Sequence, residues 1–286
     1  MSSTYLLQNS PSFFISLCAI FGLVVGSFLN VVIVRLPKML EREWAQQCAG
    51  LDSEEIEARP PYNIIIPRSA CVHCGHKITA LENIPLMSYI LLGGRCSQCR
   101  TSISLRYPAV ELLTALISGY VAWHFGYGLA AFAALIFSWT IIVLAFIDMD
   151  TQLLPDDITV PFIWAGLLVN LAGIFTDIQS AVMGAVAGYI ALWSIYWAFK
   201  LVTGREGMGY GDFKLLAAIG AWLGWQMLPL VILISSIAGT IVGIFLIATA
   251  QRGRHEPIPF GPYLAGGGFV ALLWGSQLND AYWNLF

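Results

Sequence analysis

The sequence predicts an all-α polytopic membrane protein with about eight transmembrane helices and a small cytoplasmic zinc-ribbon-like domain inserted between spans 1 and 2. Three observations predict it. Hydrophobic residues fill 58% of the 286 positions and charged residues only 11%, against about 25% charged in an ordinary soluble domain; mean hydropathy is +0.74. The apolar residues come in long runs. More than half of the charged residues crowd between Arg35 and Arg106, with four of the six cysteines and Pro60-Pro61. This composition excludes a purely soluble globule and a disordered chain. A net charge of −3 gives no footing to a nucleic-acid binder, and six cysteines are too few for a disulfide scaffold.

A helix needs about 20 apolar residues to cross about 30 Å of hydrocarbon. Eight runs are read as spans: about 13–34, 108–125, 129–147, 158–176, 179–201, 213–227, 229–250 and 260–278. The first exceeds a signal peptide's apolar core and no Lys or Arg precedes it, so it reads as a retained span. The sixth is short, and its border with the seventh near Pro229 is open. The expected organisation is a first transmembrane helix in 1–36, a cytoplasmic four-cysteine zinc-binding domain in 37–106 and a seven-helix membrane domain in 107–286. All 14 Lys and Arg lie in 35–106, 200–205, at Lys214 and in 252–254, whereas the loops near 126–128, 177–178 and 228 and the tail from 279 hold none. Eight spans place every basic segment on the cytoplasmic side and both termini outside. Small residues four apart, at Gly22/Gly26, Gly184/Gly188, Gly220/Gly224 and Gly239/Gly243, mark ordinary helix packing in lipid.

Cys71-Val-His-Cys74 and Cys96-Ser-Gln-Cys99 form two C-x2-C knuckles. Two such pairs can give a tetrahedral Zn²⁺ its four thiolates. A redox dithiol or a disulfide suits a cytoplasmic segment less well, and His73 or His76 is the alternative ligand. Four thiolates leave no open coordination position, so the metal folds the domain and does no chemistry. Cys18 reads as packing, and Cys48 is unpaired.

Asp148 adjoins an apolar run, and Asp212 directly precedes one. A carboxylate at membrane depth is costly and therefore a functional candidate. Two carboxylates brought together share a proton, and such a pair can activate water and protonate a leaving group. Helix caps and the proton-coupling acids of a transporter remain alternatives at this point. Asp150 reads as a solvated interfacial charge, Asp156 or Asp157 as a helix N-cap, and Glu111 as either a first-turn acid favouring the helix dipole or a functional group. Lys214 either biases Asp212 or holds substrate, or anchors the helix at the interface.

The chain resembles the bacterial type IV prepilin peptidases along nearly its whole length. The resemblance rests on Gly26-Ser27-Phe28-Leu29-Asn30 leading to Arg35-Leu36-Pro37, the two cysteine knuckles, Arg106-Tyr107-Pro108 with Glu111, Asp148 ahead of Pro155-Asp156, and Gly209-Tyr210-Gly211-Asp212 with Lys214. It implies a GxGD-type intramembrane aspartic peptidase in the bacterial inner membrane, with Asp148 and Asp212 as the catalytic pair and 107–286 as the peptidase domain. Its substrates would be type IV prepilins and type II secretion pseudopilins, cut after a glycine that ends a short basic leader. It further implies N-methylation of the new N-terminal residue, usually Phe, with S-adenosylmethionine as donor. No Rossmann glycine fingerprint is present, so the candidates for the donor site are the cytoplasmic domain and the surroundings of Glu111. The rival readings are a proton-coupled transporter and a membrane-tethered zinc module that binds a partner. The acids gather at one face, against the transporter, and eight spans exceed what an anchor needs.

Overall fold

The computed structural model describes residues 7–49, 61–205, 207–249 and 258–283. Pro60 and the basic stretch 252–254 lie outside them. The described chain is helical, without strands, and divides into two units, Met1–Ala131 and Phe132–Phe286.

In the first unit, α1 (Pro11–Ala49) is followed by the two knuckles, the short α2 (Met87–Leu91) and α3 (Arg106–Phe125). α1 continues through Pro37, where the missing N–H forfeits only the bond to the Ile33 carbonyl. α1 and α3 pack along each other through small residues. A Cβ on Gly22 would lie 2.6 Å from Ser118 Oγ, and one on Gly26 would lie 2.8 Å from Glu111 Cα; such pairs let helix backbones meet. The polar groups in this seam are satisfied. Thr114 and Ser118 hydroxyls donate to the carbonyls one turn back, and Asn30 Nδ2 donates to the Tyr107 carbonyl at 3.0 Å.

α4 (Leu129–Thr151) begins at the junction and leads into the second unit, which continues with α5 (Asp156–Leu171), α6 (Ile178–Thr203), α7 (Tyr210–Leu223), α8 (Leu228–Ala248) and α9 (Gly261–Trp283). α7 is its centre. Every residue from Asp212 to Leu223 except Lys214 is buried, and α5, α6 and α9 pack around it. α6 starts at Asp177, whose Oδ1 accepts the Ser180 N–H at 2.9 Å, satisfying one of the orphan donors of a helix start. α6 and α7 cross backbone to backbone, because a Cβ on Gly184 or on Gly220 would fall on the other's carbonyl oxygen. At the far end of α7, Trp222 Nε1 donates to the Phe162 carbonyl at 2.8 Å, and its ring meets those of Phe137 and Phe162. Buried Asn170 closes this end. Its Nδ2 donates to the Ala221 and Trp222 carbonyls, and its Oδ1 accepts the Phe175 and Thr176 N–H groups.

Each of the eight apolar runs contains a helix, but the helices differ in length from the expectation. Among the described residues, four helical stretches are long and apolar enough to cross a membrane: Pro11–Cys48, Leu129–Thr151, Ile178–Thr203 and Trp225–Leu246. α5 and α7 have 16 and 14 residues, about 24 and 21 Å. The open border near Pro229 falls at Gly224, which ends α7; a single 3₁₀ turn, Trp225–Met227, leads into α8. Gly224 thus ends α7 and, with Gly220, also packs against Gly184 of α6, where a Cβ on Gly184 would lie 2.9 Å from the Gly224 carbonyl carbon.

Candidate active site and metal centre

α4 and α7 bring Asp148 and Asp212 into one buried site of the second unit. Asp148 stands in the last turn of α4 and Asp212 in the first turn of α7, and they are 5% and 6% exposed. The two carboxylates lie within reach of each other's charge. Their surroundings differ. Asp148 Oδ2 accepts the backbone N–H of Gly261, the first residue of α9, at 2.9 Å. Asp212 Oδ1 is buried with no hydrogen-bond partner among the described residues, a costly arrangement outside a reactive site. Gly209 is the N-cap of α7, and its carbonyl accepts the Asp212 N–H at 3.3 Å. Gly211 leaves room for Leu154, which a Cβ there would strike at 2.6 Å.

Lys214 and Asp156 correct the sequence reading. Lys214 Nζ lies 2.6 and 2.7 Å from the two Asp156 oxygens, so it ties α7 to α5 and is already paired. Asp156 is a first-turn acid of α5; the cap position belongs to Pro155, which offers no side-chain cap. Gly261 was invisible to sequence reasoning, because its partner is 113 residues away.

In the first unit, the four knuckle cysteines converge, with their sulfurs all within 4.8 Å of one another. Cys71 and Cys99 sulfurs are 3.7 Å apart, and Cys74 and Cys96 sulfurs 3.9 Å. A tetrahedron with metal–sulfur bonds of about 2.3 Å has edges of about 3.8 Å, so the donor set fits zinc. The bridges Ala70↔Lys77 and Arg95↔Ser102 close the two knuckles. The Cys74 and His73 backbone amides lower the Cys71 thiol, and Thr101 brings Cys99 down to about 6. At Cys74 the His76 amide pulls the same way, but burial and the neighbouring sulfurs push the thiol up to about 11. Four sulfurs this close ionise together only around a cation. His76 is not a ligand: its Nε2 lies 3.2 Å from Glu82 Oε2. The Ser97 hydroxyl, then the Thr79 amide and hydroxyl, hold Glu82 down to about 2. Cys18 is buried in α1 and Cys48 is exposed. Glu111 on α3 is buried, and its Oε2 accepts the Leu86 N–H at 2.8 Å.

Comparisons with known proteins follow the same division. Residues 20–125 match the bacterial peptidase A24 N-terminal domain, and residues 135–244 match the type IV leader peptidase family. The chain is similar to the prepilin leader peptidase/N-methyltransferase of Aeromonas hydrophila, at 55% identity over 284 residues and 98% of each chain. Proteins of the same name are 53% identical in Pseudomonas aeruginosa, over 96% of each chain, and 51% identical in Stutzerimonas stutzeri, over 99% of this chain and 98% of the relative. No solved structure matches the chain. The first match contains both knuckles and Glu111, and the second contains both buried aspartates. With half of all positions shared along almost the full length, the chain belongs to the type IV leader peptidase family.

Proposed function

We infer that this chain is a prepilin leader peptidase and N-methyltransferase: it removes the leader peptide and methylates the new N-terminus. We assign the hydrolysis to Asp148 and Asp212. The observation that carries this assignment is the pair itself, two buried carboxylates from different helices, one anchored by a backbone N–H and the other with an unpartnered oxygen. Water loses a proton to one carboxylate as its oxygen adds to the scissile carbonyl. The other carboxyl group gives its proton to the departing nitrogen, so the carbon–nitrogen bond breaks and the pilin leaves with a free α-amine. Two buried carboxylates that feel each other's charge can share one proton, which supplies an acid and a base from the same pair.

The substrates are type IV prepilins and the pseudopilins of type II secretion. The eight helices other than α2 span the bacterial inner membrane, with both termini outside and the knuckles and the dyad at the cytoplasmic face. The support for this orientation is the confinement of Lys and Arg to one set of loops. There the dyad meets the junction between a basic leader and the apolar helix that follows it. Zinc, held by Cys71, Cys74, Cys96 and Cys99, folds the knuckle domain and takes no part in hydrolysis. S-adenosylmethionine, when bound, supplies the methyl group for the new amine.

The test is cleavage of a prepilin by purified protein, read from the mass of the pilin N-terminus. Asp148→Asn and Asp212→Asn are each expected to leave the leader attached while the protein remains in the membrane. Complete cleavage by either variant would overturn the dyad.

A further inference from the structure

The first unit holds a half-open cavity of 730 Å³, inside the range of about 300–1,000 Å³ typical of small-molecule sites. Its walls come from one face of α1, both knuckles, α2 and the start of α3. Glu111 reaches it as a buried carboxylate fixed by the Leu86 N–H. Leu86 holds that N–H in place with φ 58° and ψ −47°, a conformation a leucine rarely adopts and one associated with functional sites. Along α1 the lining changes character. Beside Gly26, which abuts Glu111, come Ser27 and Asn30; Arg35 follows about 13 Å along the helix from Gly26, then Lys38. Tyr62 and Tyr89 add aromatic rings. Two acids, Glu111 and Glu82, the bases Lys38 and Arg68 beside an Arg35 that also holds the Asn63 and Ile64 carbonyls, and aromatic rings suit a ligand that carries positive charge, a carboxylate and a flat heterocycle.

We propose that this cavity binds S-adenosylmethionine, with Glu111 set against its positively charged ammonium and sulfonium groups and the basic stretch of α1 against its carboxylate. The proposal rests on the methyltransferase reading and deepens it. It also gives the metal a reason to be there, because Cys71 and Cys96 form part of the wall.

The experiment is equilibrium binding of radiolabelled S-adenosylmethionine to the full-length protein in detergent. Two variants are compared with the wild type, and zinc content reports on folding. Glu111→Gln keeps an acceptor for the Leu86 N–H but removes the charge, and is expected to weaken binding about tenfold or more. Val34→Trp fills the cavity from α1 and is expected to abolish binding while the protein retains zinc. Wild-type affinity in both variants would overturn the proposal. The underlying reading fails in a different way: a wild-type protein that cleaves prepilin but adds no methyl mass to its N-terminus would sink the methyltransferase reading and the cavity assignment with it.

Discussion

At Gly261 a hydrogen atom stands where any other residue would set a Cβ 2.7 Å from Asp148 Oδ2. The N–H of the same residue holds that oxygen. Gly261→Ala is therefore expected to displace the Asp148 carboxylate without touching substrate. A displacement near 1 Å costs about a hundredfold in rate, so kcat for prepilin cleavage should fall by about that factor with KM unchanged. Gly266→Ala, on the same helix with open space around it, should behave as wild type. The sequence singled out Asp148 and Asp212 because acids beside apolar runs are conspicuous. Gly261, Asn170 and the Leu86–Glu111 bond carry no local signal, since each depends on a residue in another element. Lys214 was visible as a charge, but its partner, 58 residues away, was not.

Among the elements, α7 depends most on its neighbours. Its crossing with α6 has room only for glycine at 184 and 220. Gly184→Leu would drive a side chain into backbone, and overpacking of this kind costs about 1–3 kcal/mol. The expected result is a lower unfolding temperature in detergent, together with loss of cleavage as Asp212 moves with α7. A wild-type melting temperature would count against the crossing. The apolar runs announced the helices, but their limits were harder to read. α1 runs past Pro37 because one lost hydrogen bond does not end a long helix. α7 stops at Gly224 although the apolar run continues.

At the scale of the whole molecule, the two family matches and the two units divide the chain at nearly the same place, between 125 and 135. Chelation of zinc is therefore expected to abolish binding of the methyl donor and spare leader cleavage. Parallel assays on metal-stripped protein check this, and equal loss of both activities would contradict it. Acid should release the metal in a defined order. Glu82 sits near 2 in the folded knuckle against an ordinary value of 4.5. Its charge thus favours the folded loop at every pH above 4.5, and that contribution is lost only as pH falls toward about 2. Zinc needs all four sulfurs as thiolates, so protons compete with the metal for them as pH falls. Zinc release, followed by a metal-sensitive dye as pH is lowered, should precede the protonation of Glu82 at about 2.

The burial of α7 also bears on how the enzyme meets different lipids. A helix of 14 residues is shorter than the hydrocarbon layer, and an isolated one would force the bilayer to thin around it. α7 is sheathed by protein from Asp212 to Leu223, with only Lys214 reaching out. Hydrophobic mismatch is therefore borne by the surrounding helices, and the depth of Asp212 is set by side-chain packing. The Asp212 carboxylate is therefore expected to keep its level when the acyl chains lengthen or shorten.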